Sequence, residues 1–281
     1  MYNSFMTKNN NLQMFCISME PIHLNFIKSL GYLPVGLGAK NFEKEWLRDN
    51  TDKNISKKNK NYGEYTFHYW IWKNYINNLT DGWIGFCQYR KFWTIKNYYN
   101  EKLSIQKMPS LVIKEIPEEY NGYDVILGNS FYVNQKKTSK FFKKGLKLIL
   151  KNPKILFNKN LRNLKFHFDL MHGENNLKKA IELLDSKNKK NFENYMNENF
   201  YFHPHNMFIC RSKDVLLEYY ETIFPWLEKC EDVFGFEKLK GYDLTRIYGF
   251  LAERFLSYWF TKNKKFKTMN ITFYDINNDL K

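Results

Sequence analysis

The pattern of apolar and polar positions predicts alternating strands and helices. Apolar runs at residues 14–18 and 33–37 predict two strands. The stretch 22–30 between them, opened by Pro21 and closed by Gly31, predicts a helix. This β-α-β order is typical of a parallel sheet in an α/β protein.

The rest of the chain continues the alternation and ends in helices. Further strands are expected at residues 83–89, 123–127 and 206–210, and further helices at 62–75, 175–184, 189–196, 213–230 and 242–260. The sequence therefore predicts one α/β domain, with a mixed sheet flanked by helices and a helical C-terminal part.

The positive charge is concentrated in one segment of the chain. The net charge is +15 over 281 residues. Residues 133–168 hold eleven lysines and arginines and no acidic residue, so the other 245 residues carry only +4. Inside this segment, lysines at 140, 143, 144, 147 and 151 oppose apolar residues at 142, 146, 149 and 150, which predicts a basic amphipathic helical insertion.

Three interpretations of this insertion are open. It can be a surface helix packed on the core, an attachment of residues 136–165 to an anionic membrane surface, or a nucleic-acid patch. The third is disfavoured, because no nucleic-acid motif accompanies the lysines, and no nucleic-acid partner is expected. The N-terminus lacks the apolar stretch of a signal peptide. Four scattered cysteines predict reduced, buried thiols. These features indicate a cytoplasmic protein, with peripheral attachment to the inner membrane face as an option.

The strand at 83–89 leads into a run of polar and cationic residues, Gln88, Tyr89, Arg90 and Lys91. In open α/β sheets, ligands bind outside the carboxyl ends of the strands. Arginine and lysine at such a position suit a phosphate or diphosphate, although a surface charge cluster is the simpler interpretation. Two glycines of a dinucleotide-type turn, Gly36 and Gly38, follow another strand, but the third glycine of that motif is missing.

Histidines and aromatic residues offer further candidates. His203 and His205 have the spacing of two ligands on one strand face, but Pro204 and the lack of a third ligand favour substrate contact or packing. Four aromatic residues are candidate sugar platforms, or core residues at helical spacing. These are Tyr69, Trp70, Trp72 and Trp93.

Several ordered blocks together resemble a known family. The blocks lie at residues 49–56, 62–66, 69–74, 85–92, 123–127, 206–209 and 249–254, and include Gly85-Phe86-Cys87-Gln88-Tyr89-Arg90-Lys91-Phe92. They resemble a bacterial capsular and exopolysaccharide biosynthesis family, catalogued as domain of unknown function 4422 and regarded as glycosyltransferase-like. The resemblance runs from about residue 33 to residue 260.

The resemblance implies a GT-A-like, Rossmann-type fold and a sugar-nucleotide-dependent transferase. Such an enzyme would move a sugar, from a UDP-sugar for preference, to a growing capsular or other surface polysaccharide on a lipid-linked acceptor. The chain would comprise a nucleotide-sugar-binding part (12–132), the basic insertion (133–168) and an acceptor-side part (169–281).

The candidate site residues come from the matched blocks and from the glycine and histidine patterns described above. The candidate donor and diphosphate ligands are Gly36, Gly38, Asn54, Ser56, Asn59, Gln88, Tyr89, Arg90, Lys91 and Arg254. The candidate acceptor ligands are Tyr69, Trp70, Trp72, His203, His205 and Asn206.

A transferase of this kind needs charge stabilisation on the leaving diphosphate and a base for the acceptor hydroxyl. The usual Asp-x-Asp metal motif is missing from the sequence. Either the cations at 90 and 91 replace a metal, or a lone carboxylate such as Asp124 holds Mn²⁺ or Mg²⁺. The candidate bases are Asp243, Glu64 and Glu253, and the first two are favoured over Glu253.

Two other functions are open. The net charge alone is consistent with a non-catalytic protein that binds nucleic acid or another polyanion. Another transferase of polysaccharide assembly, such as a phosphosugar transferase, is the second alternative.

Overall fold

The computed structural model of the chain describes residues 12–135, 146 and 148–279. Their strands form one eight-stranded mixed sheet and a separate two-stranded ribbon. The strands are β1 (Leu12–Ser18), β2 (Leu33–Gly36), β3 (Leu47–Arg48), β4 (Trp83–Gln88), β5 (Lys91–Thr94), β6 (Val125–Gly128), β7 (Phe131–Tyr132), β8 (Tyr201–Phe202), β9 (Phe208–Cys210) and β10 (Phe266–Phe273).

The large sheet has the order β3-β2-β1-β4-β5-β10-β6-β9. β1 to β4 run parallel, while β5 runs antiparallel to both β4 and β10. β6 is parallel to β10, and β9 is antiparallel to β6 and β4. Because β9 pairs with both β6 and β4, the strands β4, β5, β10, β6 and β9 close into a small ring.

Helices cover both faces of this sheet. They are α1 (Leu24–Ser29), α2 (Asn59–Tyr62), α3 (Tyr65–Trp70), α4 (Met108–Leu111), α5 (Leu164–His172), α6 (Asn176–Glu182), α7 (Ser186–Glu198), α8 (Lys213–Phe234), α9 (Tyr242–Thr245) and α10 (Ile247–Asn263). A π-helical turn, Ile71–Tyr75, continues α3. Side-chain caps begin α5, α7 and α8; at the start of α8, for example, Ser212 Oγ accepts a hydrogen bond from the Val215 N–H.

The sheet separates two apolar cores. Successive strand residues point to opposite faces, so Phe15 of β1 packs into one core and Cys16 into the other. The larger core lies between the sheet and helices α3, α8 and α10. The smaller one includes α1 and α4. All four cysteines are free and buried, as the sequence predicted.

The predicted mixed α/β sheet with flanking helices is confirmed, and three details differ. The predicted helix 62–75 is interrupted at Gly63, which has φ +60°; a Cβ atom there would lie 2.1 Å from Arg246 Nη2. The strand predicted at 123–127 occupies Val125–Gly128. β3, β5, β7, β8 and β10 were not predicted, and β10 brings the C-terminal end of the chain into the middle of the sheet.

Most of the predicted basic helix lies outside the described residues, which omit 136–145 and 147. Its described end is helical at residues 148–151. There Ile149 packs against Leu170, whereas Leu146 and Leu150 are exposed. Among the described helices, none combines the length and apolar character needed to cross a membrane.

Candidate functional site

The parallel strands place several chain segments at one edge of the sheet. β1, β2, β4, β6 and β10 run in the same direction, so their carboxyl ends share one edge, which we call the carboxyl edge. The tight turn at Tyr89 and Arg90 joins β4 to β5 there and puts Lys91 at the start of β5. Crevices outside such an edge are the usual ligand sites of α/β proteins.

Seven polar residues converge at this edge, and we call them the edge cluster. They are Glu64, Gln88, Lys91, His205, Asn206, Arg246 and Glu253. Lys91 Nζ donates a hydrogen bond to Gln88 Oε1 at 2.9 Å, and Gln88 Nε2 donates to the His205 carbonyl at 3.0 Å. These bonds fix the ammonium group at the end of β4.

The ammonium group of Lys91 interacts electrostatically with two carboxylates. Burial lowers the pKa of Lys91 from its ordinary value, while the charges of Glu64 and Glu253 act to raise the pKa of the same ammonium. Arg90 and Arg246 lower it further. The cluster and the neighbouring Arg90 thus bring two carboxylates and three cations into one partly desolvated site, where electrostatic interactions are stronger than in water.

The two carboxylates are held differently. Glu64 Oε1 accepts a hydrogen bond from Asn206 Nδ2 at 2.8 Å, and Glu64 Oε2 has only a longer contact of 3.4 Å with Arg246 Nη2. Glu253 Oε1 accepts from the His205 backbone N–H at 2.6 Å, and its Oε2 accepts from Arg254 Nη1. Glu64 therefore has the more available oxygen.

The loop that carries His205 and Asn206 has an unusual backbone. His205 has φ +81° and Asn206 has φ +53°, the left-handed region that non-glycine residues rarely adopt. Such conformations cost about 1–3 kcal/mol each and persist where the surroundings impose them. Here Asn206 Nδ2 also bonds the Gly249 carbonyl at 3.1 Å, and Asn206 Oδ1 is buried with no hydrogen-bond partner among the described residues. The loop is thus held in the geometry that orients Glu64 and Glu253.

Arg90 is oriented by a chain of hydrogen bonds from β1. Ser18 Oγ contacts His23 Nδ1 at 2.7 Å, and His23 Nε2 contacts Asn277 Oδ1 at 2.9 Å. Asn277 donates to Asp275 Oδ1, and Asp275 Oδ2 pairs with Arg90 Nε at 2.9 Å. Burial lowers the pKa of His23, so the neutral ring with its proton on Nε2 satisfies both contacts.

Not all predicted donor ligands join the edge cluster. Gly36 and Gly38 end β2 at the same edge, but a Cβ at 36 would lie 2.5 Å from Phe42 and Gly38 has φ +86°. Gly36 therefore allows close packing against Phe42, and Gly38 allows a turn. The chain after them forms bends and not a helix. This geometry differs from the dinucleotide motif, in which a helix N-terminus binds the phosphate.

The predicted ligands of the second block make local contacts. Asn54 Oδ1 accepts hydrogen bonds from the Ser56 N–H and hydroxyl, and Asn59 Nδ2 donates to the Gly63 carbonyl at 3.0 Å. These bonds shape the turn before α3. Tyr89 is half-buried against the His23 ring.

Arg254 and His203 are buried structural groups. The Arg254 guanidinium lies 3.6 Å from the Phe202 ring centroid and pairs with Glu253, and burial lowers the pKa of Arg254. It therefore positions Glu253 instead of facing a ligand. His203 Nδ1 contacts the Gly128 carbonyl at 2.6 Å inside the core.

The aromatic candidates lie mostly in the core. Tyr69, Trp70 and Trp93 are buried, and Trp70 Nε1 donates to Thr51 Oγ1 at 2.9 Å. Trp72 is half-buried and stacks on Phe224, with Lys73 Nζ 3.0 Å from its ring centroid. The structure thus gives the first three no open face for a sugar.

Asp124 and Asp243, two carboxylates considered from the sequence, are not members of the edge cluster. Asp124 precedes β6 at the opposite edge, and its Oδ2 accepts a hydrogen bond from the Lys265 N–H. At that edge, Asp124 does not fit the binding of a metal ion to a diphosphate held by Arg90. Asp243 lines a cavity of about 420 Å³ together with Tyr242, whose ring centroid lies 5.7 Å from the Arg246 guanidinium. Within the described residues, no three His, Cys, Asp or Glu side chains are grouped as metal ligands.

Sequence reasoning did not identify Arg246 or Asp275. Asp275 follows β10, a strand that was itself not predicted. One signal was present, since Met269, Ile271 and Phe273 alternate with polar residues in the period of a strand. Arg246 had no such signal, because it reaches Glu64 only through the packing of α2 and α3 against α10.

The fold resembles a solved glycosyltransferase structure. The apo structure of the bifunctional glycosyltransferase WbbM superposes with a TM-score of 0.64 at 20% sequence identity. The match covers 93% of this chain and 45% of WbbM, so this chain spans less than half of that protein's length. At this identity the likeness shows a shared fold.

Sequence comparisons place the chain in a family. Among curated proteins, none matches its sequence. The family model described as Domain of unknown function (DUF4422) matches residues 13–264, which is most of the chain. The chain therefore belongs to the Domain of unknown function (DUF4422) family.

Proposed function

We propose that this protein is a glycosyltransferase that moves a sugar from a nucleotide-sugar donor to a saccharide acceptor. The observation that carries the proposal is the edge cluster, where Lys91 donates a hydrogen bond to Gln88 and interacts electrostatically with Glu64, Glu253 and Arg90. Cations beside candidate bases suit a reaction that expels a diphosphate and deprotonates a hydroxyl.

The reaction assigns each group a task. The bond between the anomeric carbon and the diphosphate oxygen breaks, and its electron pair leaves with the nucleoside diphosphate. Arg90 and Lys91 stabilise the charge that develops on this leaving group. The acceptor hydroxyl oxygen bonds to the anomeric carbon, and its proton passes to Glu64, whose Oε2 is the more available carboxylate oxygen.

The finer parts of the proposal rest on the family resemblance and on the fold shared with a glycosyltransferase. They are a GT-A-like arrangement, a UDP-sugar donor, a capsular or other surface polysaccharide as product, and a site on the cytoplasmic side of the membrane. Because Asp124 lies at the opposite edge, we assign diphosphate neutralisation to Arg90 and Lys91, with no role for Mn²⁺ or Mg²⁺ held by Asp124.

A thermal-shift screen against nucleotide sugars, with and without Mn²⁺, tests the donor half of the proposal. At least one nucleotide sugar should raise the melting temperature of the wild-type protein, because a ligand that binds only the folded state stabilises it. The double variant Arg90→Ala/Lys91→Ala should lose this shift. Lys114→Ala, at an exposed lysine elsewhere, is the matched control.

The unliganded melting temperature of each variant separates a binding defect from misfolding. Absence of a shift with every nucleotide sugar would contradict the proposal. Salt-dependent affinity for DNA or RNA in that case would favour the polyanion-binding alternative.

We further propose that the basic segment attaches the enzyme to an anionic membrane. The described end of this segment exposes apolar side chains beside its lysines: Leu150 is 73% exposed and Phe157 is 89% exposed. Insertion of apolar groups together with lysine attraction is what binds a peripheral protein to anionic lipid.

Vesicle co-sedimentation tests this attachment. Wild-type protein should bind phosphatidylserine-containing vesicles more strongly than neutral phosphatidylcholine vesicles. Leu150→Ser/Phe157→Ser should weaken that binding about tenfold or more, because two apolar side chains no longer insert. Tyr99→Ser, at an exposed ring outside the segment, is the control. Equal sedimentation of the wild type and the double variant would exclude the attachment.

A further inference from the structure

A second concave site opens directly beside the edge cluster. It is a cleft of about 490 Å³ between the loop 97–103, the end of β10 and the turn 275–279, with Asn129 on its rim. Its volume is in the range of small-molecule sites. Phe273 belongs to both regions, because it lines the cleft and its ring lies 5.2 Å from the His205 ring.

The walls of this cleft are fixed to one another. Asn270 Nδ2 donates to the Ile95 carbonyl at 2.7 Å, which ties the start of the loop to β10. At the other end, Asp279 Oδ2 accepts from the Ile105 N–H at 3.0 Å and from the Tyr274 hydroxyl. The cleft is therefore a preformed feature of the fold.

Its lining combines exposed aromatic rings with amides. Tyr99 is 87% exposed and Phe273 is 59% exposed. Asn129 Nδ2 donates to Asn270 Oδ1 at 2.8 Å on the same surface. Exposed rings offer faces for the C–H surface of a sugar ring, and amides both donate to and accept from hydroxyl groups.

The charge of the lining excludes a second phosphate site. Glu101, Asp275 and Asp279 line the cleft, and among the described residues none of its lining side chains is a lysine or arginine. This stands out in a chain with a net charge of +15. The cationic groups Arg90 and Lys91 lie next to the cleft and not in it. The cationic region therefore suits a diphosphate, and the cleft suits an uncharged or amine-bearing ligand.

We infer that this cleft binds the acceptor saccharide, as a neutral or amino-sugar oligosaccharide whose end reaches the edge cluster past Phe273. The inference rests on the proposed function. Tyr99 and Phe273 would then be the rings that contact the sugar, in place of the buried aromatic residues of α3 that were candidates from the sequence. The cavity lined by Asp243 is the competing place, and its exposed ring is Tyr242.

Binding to an array of bacterial surface oligosaccharides tests the inference, with UDP affinity measured by calorimetry on the same samples. Wild-type protein should bind neutral or amino-sugar oligosaccharides and bind uronate-rich ones more weakly. Tyr99→Ala should weaken glycan binding about tenfold, the equivalent of about 1.4 kcal/mol, and Phe273→Leu should also weaken it. UDP affinity should stay unchanged in Tyr99→Ala. Tyr242→Ala is the matched control.

The outcomes separate the two proposals. Glycan binding that Tyr99→Ala reduces, with UDP binding retained, supports the cleft. No glycan binding, or binding that only Tyr242→Ala reduces, overturns the cleft and leaves the proposed function standing if UDP still binds. If the wild-type protein binds neither a glycan nor UDP, both the cleft and the proposed function are overturned.

Discussion

Glu64 of the edge cluster and the aromatic residues of α3 are neighbours in sequence, yet they have different roles in the structure. Glu64 immediately precedes α3 and points to Asn206 and Arg246 at the carboxyl edge. The residues that follow turn into the larger core, where Trp70 stacks on Phe67 and Tyr75. A block that resembles the family over its whole length is therefore divided between candidate chemistry and packing within two helical turns.

The two regions differ in the effect that burial has on their side chains. A buried aromatic ring stabilises the fold through the apolar area it removes from water. A buried charged group gains nothing from burial alone and needs partners, which Lys91 has in Gln88 and the two nearby carboxylates. Substitutions in the two regions should therefore separate activity from stability.

The largest effect is expected from Glu64→Gln. Loss of the base should lower the transfer rate about 10²- to 10⁴-fold, with little change in UDP affinity, because the amide keeps the shape of the side chain. Steady-state kinetics of nucleoside diphosphate release measure it, with exposed Glu115→Gln as the control. A wild-type rate in Glu64→Gln would show that Glu64 is not the base. If Asp243→Asn instead showed the expected loss of rate, the base would be Asp243.

Trp70→Ala should reduce stability instead of catalysis. Removal of this buried ring is expected to lower the free energy of unfolding by about 3–5 kcal/mol, measured by urea denaturation. At temperatures well below the melting transition, kcat and the acceptor KM should stay near the wild-type values. Trp70→Phe should recover most of the stability. An increase in acceptor KM without loss of stability would restore Trp70 as a sugar platform.

The charge of Lys91 should give donor binding an alkaline limit. Raising the pH removes the proton from Lys91, so the affinity for UDP should fall with rising pH. Because burial lowers the pKa of Lys91, this loss should begin below the ordinary lysine range. Calorimetry from about pH 7 to about pH 10 should show roughly a tenfold loss in the wild type. The limit should vanish in Lys91→Arg, whose guanidinium stays charged; an unchanged limit would show that another group titrates.

The smallest effect is expected from Asp275→Asn. Its pair with Arg90 is partly exposed, with side-chain exposures of 53% for Arg90 and 31% for Asp275, and such pairs contribute about 0–1 kcal/mol. UDP affinity should therefore fall at most about fivefold. Glu20→Gln, which removes the partner of Lys40 nearby, is the control. A loss as large as that of Arg90→Ala would show that Asp275 contacts the donor itself.

Much of the fold could be predicted from local patterns. The apolar runs of β1 and β2, with Pro21 and Gly31 at the two ends of the helix between them, were sufficient to place β1, α1 and β2. Local patterns did not predict β5, which is short, or β10, which follows a long helix. β10 pairs with β5 and β6, and both of those strands are far away in sequence. Six of the seven residues of the edge cluster were candidates from the sequence, and Arg246 was the exception; Gln88 and Lys91, for example, lie at the end of a clear apolar strand.

The sequence by itself determined the α/β class, the buried cysteines, the concentration of charge in one segment and the family resemblance. These depend on composition, periodicity and ordered motifs, which are properties of neighbouring residues. Only the tertiary structure decided that Glu64 meets Asn206 and Arg246, that Tyr69 and Trp70 are buried, and that Asp124 lies at the opposite edge. The reason is physical: burial and pairing of a side chain depend on segments that are more than a hundred residues apart and meet only when the sheet and its helices close.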